Sequence, residues 1–110
     1  MEQKMSRKIS KKGIERKKLK EWKTIINKND NCICQVCKKD LKNKPRNCHA
    51  HHILDKHTYP ELKFDVRNGI TLCYSCHKVG KYAAHLNAIF FANWLKENRL
   101  DIYKYLKNFI

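Results

Sequence analysis

Cys34-Gln35-Val36-Cys37 and Cys73-Tyr74-Ser75-Cys76-His77 bracket the stretch that decides the fold of this chain, with Ala50-His51-His52-Ile53 and Asn68 between them. Each C-x2-C turn presents two thiolates to one ion, and two such turns complete the tetrahedral shell that structural zinc prefers. Disulfides are the competing use of six cysteines. Residues 1–13 are polar and basic with no apolar leader core, which points to a reducing compartment where structural disulfides rarely persist, so zinc is the preferred reading. Cys32 and Cys48 are left over: Cys32 is an alternative to Cys34 at a looser spacing, and Cys48 is most simply a small buried residue.

With 110 residues, the chain has the size of one domain. A core this small benefits from a metal staple, and structural zinc in finger peptides binds with roughly 10–16 kcal/mol. Twenty-five Lys and Arg against 10 Asp and Glu leave a net charge of +15, which implies a polyanionic partner. The longest stretch free of Asp, Glu, Lys and Arg, residues 82–95, is too short to span a bilayer, so the expectation is a soluble protein of the cytoplasm, the host's if phage-encoded.

All cysteines and histidines lie between positions 32 and 85, which gives a chemical centre and two flanks. Residues 1–30 carry 11 Lys and Arg against 4 Asp and Glu. Their first dozen read as a mobile basic arm, and residues 14–27 as an amphipathic helix whose buried stripe is Leu19, Trp22, Ile25 and Ile26. The last flank reads as two short helices. Asn87 caps the first, with Phe90, Phe91, Trp94 and Leu95 on one side; Asp101 caps the second, with Ile102, Tyr105, Leu106 and Phe109 as core cover. The expected division is 1–30 for arm and helix, 31–85 for the core, and 86–110 for a helical cover.

Fifteen residues lie between His52 and Asn68, and eight more between Asn68 and His77. In this order Cys34, Cys37, His51, His52, Asn68, Cys73, Cys76 and His77 resemble the zinc-stapled HNH endonucleases over roughly residues 32–85. The segment Tyr59-Pro60-Glu61-Leu62-Lys63-Phe64-Asp65-Val66-Arg67-Asn68-Gly69-Ile70-Thr71-Leu72-Cys73 looks like small phage-type members, with a looser similarity to lambda-type recombination endonucleases. The resemblance implies an α+β fold: a ββα-metal core with a four-cysteine structural zinc, flanked by an N-terminal basic helix and two short C-terminal helices. Locally, residues 49–54 suit the first strand, 69–72 the second, and 74 onward the helix.

Neighbouring strand residues face opposite sides, so His51 and His52 hold two different roles. The resemblance assigns His51 and His77 to a catalytic divalent ion (Mg2+, Mn2+, Ni2+ or Zn2+), His52 to activating water, and Asn68 to holding the His52 imidazole by an amide hydrogen bond. A histidine near its ordinary pKa accepts a proton at neutral pH, and an ion beside it neutralises charge on the phosphate and the leaving oxygen. His85 either completes the metal shell, as in some relatives, or caps a helix or contacts phosphate, and a metal-bearing helix ended early by Gly80 would leave His85 in a loop. His49 and His57 face solvent or support the inner residues.

Lys38, Lys39, Lys42, Lys44 and Arg46, with Lys56, Lys63, Arg67, Lys78 and Lys81, read as a backbone-tracking basic surface for DNA, double-stranded in the favoured reading. Such contacts position a duplex without reading its sequence. The competing class is a non-catalytic zinc module that binds DNA or RNA through the same surface. A partner in a phage packaging or recombination complex is compatible with so short a chain, and the oligomeric state is open.

Overall fold

The computed structural model describes residues 10–80 and 83–110. Most of the expected N-terminal arm, residues 1–9, and Lys81 therefore lie outside the described residues. The element order is helix α1 (Lys11–Asn29), strand β1 (His49–His52), strand β2 (Gly69–Leu72), a single wide helical turn (Ser75–Val79), and helices α2 (Ala88–Asn98) and α3 (Leu100–Lys107). The two strands pair antiparallel, with His51 opposite Ile70 and His52 opposite Gly69.

Helix α1 begins earlier than its periodicity implies, because the Ser10 hydroxyl accepts from Gly13 N and satisfies a first-turn donor. Lys11 and Lys12 thus belong to the helix and not to an arm. Trp22 and Ile26 are buried, whereas Ile25 is 44% exposed, a correction to the four-residue stripe. Among the described residues the sheet has two strands, so α1 has a narrow face to cover. The C-terminal end of α1 is tied to β2 by Asp30 Oδ2 accepting from Thr71 N at 2.8 Å and by Thr71 Oγ1 donating to Asn27 Oδ1 at 3.0 Å.

Ile70 and Leu72 of β2 form the centre of the core, joined by Leu41, Leu62 and, from the C-terminal helices, Phe91, Leu95, Ile102 and Leu106. Asn87 caps α2 as expected, with its side chain accepting from Phe90 N. Asp101 does not cap α3: the helix starts at Leu100 behind Arg99, and Asp101 sits in its first turn, where a carboxylate complements the helix dipole.

Asp65 is the junction of these parts. Its carbonyl accepts from the Trp22 indole of α1, Oδ1 accepts from Arg67 N, and Oδ2 accepts from the Tyr105 hydroxyl of α3. The Arg67 guanidinium lies 3.4 Å over the Tyr105 ring. No helix among the described residues is long and apolar enough to cross a membrane.

Candidate metal centres and catalytic cleft

Cys34, Cys37, Cys73 and Cys76 converge, each offering one sulfur, with all four atoms within 4.8 Å of one another. Cys37 and Cys73 sulfurs are 3.7 Å apart, near the ~3.8 Å edge of a tetrahedron whose centre lies ~2.3 Å from each thiolate. The surroundings prepare for negative charge. At Cys34 burial pushes the thiol up, but backbone N–H groups at Cys37, Cys73 and Val36 outweigh it and hold the thiol below its ordinary range. Cys76 N donates to the Cys73 sulfur at 3.4 Å. The donor set therefore fits zinc. Cys32 stands outside this cluster beside Cys48, whose thiol is pushed up to about 11 by burial and then by the Cys32 neighbour.

The second cluster consists of His51 from β1, His77 from the turn Ser75–Val79, and His85. Their ring centroids form a near-equilateral triangle, with 4.9 Å from His51 to His77, 5.0 Å from His51 to His85 and 4.6 Å from His77 to His85. His77 and His85 point their Nε2 atoms at each other, 2.9 Å apart, close to the ~3.0–3.3 Å that two imidazole nitrogens take on one ion. Phe91 of α2 walls the site, its ring edge-on to His51 at 5.4 Å.

The helix bearing His77 is shorter than the resemblance implies. Gly80 ends it, and the close approach there leaves no room for a side chain, since a Cβ would lie 2.8 Å from Ser75 O. The chain then folds back through two backbone bonds, Ala84 N to Cys76 O at 2.8 Å and His85 N to His77 O at 3.1 Å. His85 thus lies in a turn and still meets the other two rings.

His51 and His77 are neutral imidazoles. Burial, then the neighbouring His77, His85 and His52, holds His51 down to about 3, and burial, then His85, His49 and Lys78, holds His77 down to about 4. Neutral nitrogen is the ligand form. His49 supports this from behind. Its Nε2 meets Arg46 O at 3.0 Å and its Nδ1 meets His77 Nδ1 at 2.9 Å. A carbonyl only accepts, so His49 donates from Nε2, its Nδ1 accepts from His77 Nδ1–H, and His77 Nε2 is left with a lone pair for an ion.

His52 faces the other side of β1. Its Nε2 donates to Lys63 O at 2.9 Å, which leaves Nδ1 as the basic nitrogen. Burial, then the Lys63 carbonyl acting in the opposite sense and the Lys56 and Lys23 charges, leaves its pKa below the ordinary histidine value. Asn68 does not hold this ring, a correction to the expected amide contact. Fully buried, its Oδ1 accepts from Leu54 N at 2.7 Å while Nδ2 donates to Leu54 O at 3.0 Å and Leu62 O at 3.2 Å. Asn68 thus clamps the loop that leads to Lys63, and the Lys63 carbonyl orients the imidazole.

A cleft of about 930 Å³ exposes both histidine faces, and the cationic side chains on its wall are Lys23, Lys56, Lys78 and Lys107. Of the basic residues read from the sequence that lie among the described residues, only Lys56 and Lys78 line it. Lys38, Lys39, Lys42, Lys44 and Arg46 are exposed around the first cysteine pair, Lys63 pairs with Glu15 at 3.0 Å, and Arg67 rests on Tyr105. Lys23 and Lys107 went unnoticed because nothing local marks which helix face meets the cleft, and the Lys63 carbonyl because backbone carries no sequence signal.

Compared with known proteins, residues 34–79 match the HNH endonuclease family model. No curated protein and no solved structure matches the chain.

Proposed function

The chain belongs to the HNH endonuclease family through residues 34–79, and from that premise we propose that it hydrolyses phosphodiester bonds of double-stranded DNA by metal-assisted general-base catalysis. The observation that carries this reading is the presence of two separate donor sets, four sulfurs and three imidazoles, in one small chain. The sulfur set holds zinc and keeps the scaffold shut.

His52 is the general base in this reading. Nδ1 takes a proton from water as the water oxygen attacks phosphorus in line with the departing 3′ oxygen, and the lowered pKa keeps the ring unprotonated at neutral pH. His51, His77 and His85 would hold a divalent ion, which when bound would supply Lewis-acid stabilisation of the phosphate and the leaving oxygen. Three neutral nitrogens suit Mn2+, Ni2+ or Zn2+ better than Mg2+, which prefers oxygen donors. His49 fixes the His77 tautomer, and Asn68 positions His52 through the loop it clamps. Lys23, Lys56, Lys78 and Lys107 bind backbone phosphates along the cleft without reading bases. Thiolate ligation suits the reducing cytoplasm, where a DNA packaging or recombination assembly is a compatible setting.

Zinc-loaded protein incubated with supercoiled plasmid and Mn2+, Ni2+ or Mg2+ yields nicked or linear product, and EDTA stops the reaction. His52→Ala abolishes cutting by at least about 100-fold while DNA binding persists. Equal cutting by both proteins overturns the role of His52, and the absence of cutting with every ion leaves a zinc-stapled nucleic-acid binder.

A further inference from the structure

Helix α1 lies wholly outside residues 34–79, yet its Trp22 stacks on His52, with ring centroids 3.9 Å apart and planes 5° from parallel. The indole is 2% exposed and donates from Nε1 to Asp65 O at 2.8 Å, while His52 donates from Nε2 to Lys63 O at 2.9 Å. Both rings are thus pinned at an edge by carbonyls of one short segment. Behind them lies Gly69, the strand partner of His52. A Cβ there would lie 2.5 Å from the Trp22 ring and 2.5 Å from Ile26, so the bare backbone at 69 is what lets the indole reach the imidazole.

We propose that Trp22 is a positioning residue for His52: its face, with the Lys63 carbonyl, confines the imidazole to one rotamer and one tautomer and leaves Nδ1 as the working nitrogen. This rests on His52 being the general base. An imidazole held only by one hydrogen bond at its edge can still tilt about that bond, and a stacked, buried indole removes that freedom. Buried tryptophans often serve packing alone. What separates the two roles is that packing tolerates any apolar side chain of suitable volume, whereas stacking requires an aromatic plane.

The test compares Trp22→Phe with Trp22→Leu in the zinc-loaded full chain. Positioning predicts that Trp22→Leu lowers kcat for plasmid nicking about 10- to 100-fold with KM for DNA within about twofold. Trp22→Phe recovers most of the loss even though it also lacks the Nε1 donor. Independently of cutting, 15N-resolved NMR of the imidazoles shows His52 as a single Nε2–H tautomer, with ring protons shifted upfield by the indole, in the wild type. In Trp22→Leu these signals show tautomer averaging and no upfield shift. Unchanged His52 signals in Trp22→Leu overturn the proposal, as do kcat losses in the two variants that merely track their thermal midpoints. If the wild type fails to cut, the nuclease reading fails while the NMR comparison still decides whether Trp22 holds His52.

Discussion

Replacing Asn68 with alanine removes a carboxamide that satisfies Leu54 N, Leu54 O and Leu62 O inside the protein. Buried polar groups left without partners cost about 1–3 kcal/mol each, so even with partial relaxation Asn68→Ala is expected to lose about 2–4 kcal/mol, measured by urea unfolding of the zinc-loaded protein. Cutting falls as well, since the loop that ends at Lys63 loosens. The buried imidazoles give a second expectation. Burial holds His51 and His77 down to about 3 and about 4 in the folded chain, against ~6.5 when unfolded. Below pH ~6.5 the unfolded chain takes up protons that the native chain refuses, so this part of the stability is complete above that pH and declines as pH falls toward 4. Thermal midpoints measured between pH 7 and 4.5 should therefore drop more steeply for the wild type than for His77→Gln, which keeps the same thiolate site. The four cysteines were legible in the sequence because each C-x2-C turn puts two thiolates together, whereas His51 and His77 were legible only through the resemblance to the HNH endonucleases. The partner of Asn68 was not, because a carboxamide that can reach the next imidazole can equally reach a loop backbone fourteen residues away.

At the scale of elements, the second strand and both C-terminal helices follow from local pattern, with a cap read correctly only for α2: Gly69–Leu72 is a buried run, and Asn87 opens α2. Asn87→Ala is expected to cost about 1 kcal/mol, read as a lowered thermal midpoint, because the Phe90 N–H loses its acceptor. How the helices meet the site was not legible. Trp22 reads from periodicity as one more core position, and nothing in its neighbourhood shows that the packed surface is the His52 ring. Phe91 likewise looked like cover, whereas it forms a wall of the imidazole cluster. Gly69 joins these elements. Gly69→Ala forces a Cβ into the Trp22 and Ile26 side chains, and since neither the indole nor the helix backbone can yield freely, α1 must shift away from β2. The expected loss of about 1–3 kcal/mol is read by urea unfolding.

Across the whole molecule, a net charge of +15 is concentrated on a scaffold held by four sulfurs. Stripping zinc with a strong chelator should unfold the core cooperatively, with far-UV circular dichroism collapsing in step with metal release. Cys76 and His77 are adjacent in the chain, yet one faces the sulfur cluster and the other the imidazole cluster, and Cys76 O also receives the backbone bond that folds the turn of His85 inward. If the thiolates take zinc as proposed, occupancy of the two centres is expected to be hierarchical, with the thiolates filled before the nitrogens acquire their spacing. Protein refolded without zinc should bind Mn2+ at least tenfold more weakly than zinc-loaded protein in a calorimetric titration. A cell short of zinc would thereby hold this cutting centre unassembled, whatever its supply of the other ion.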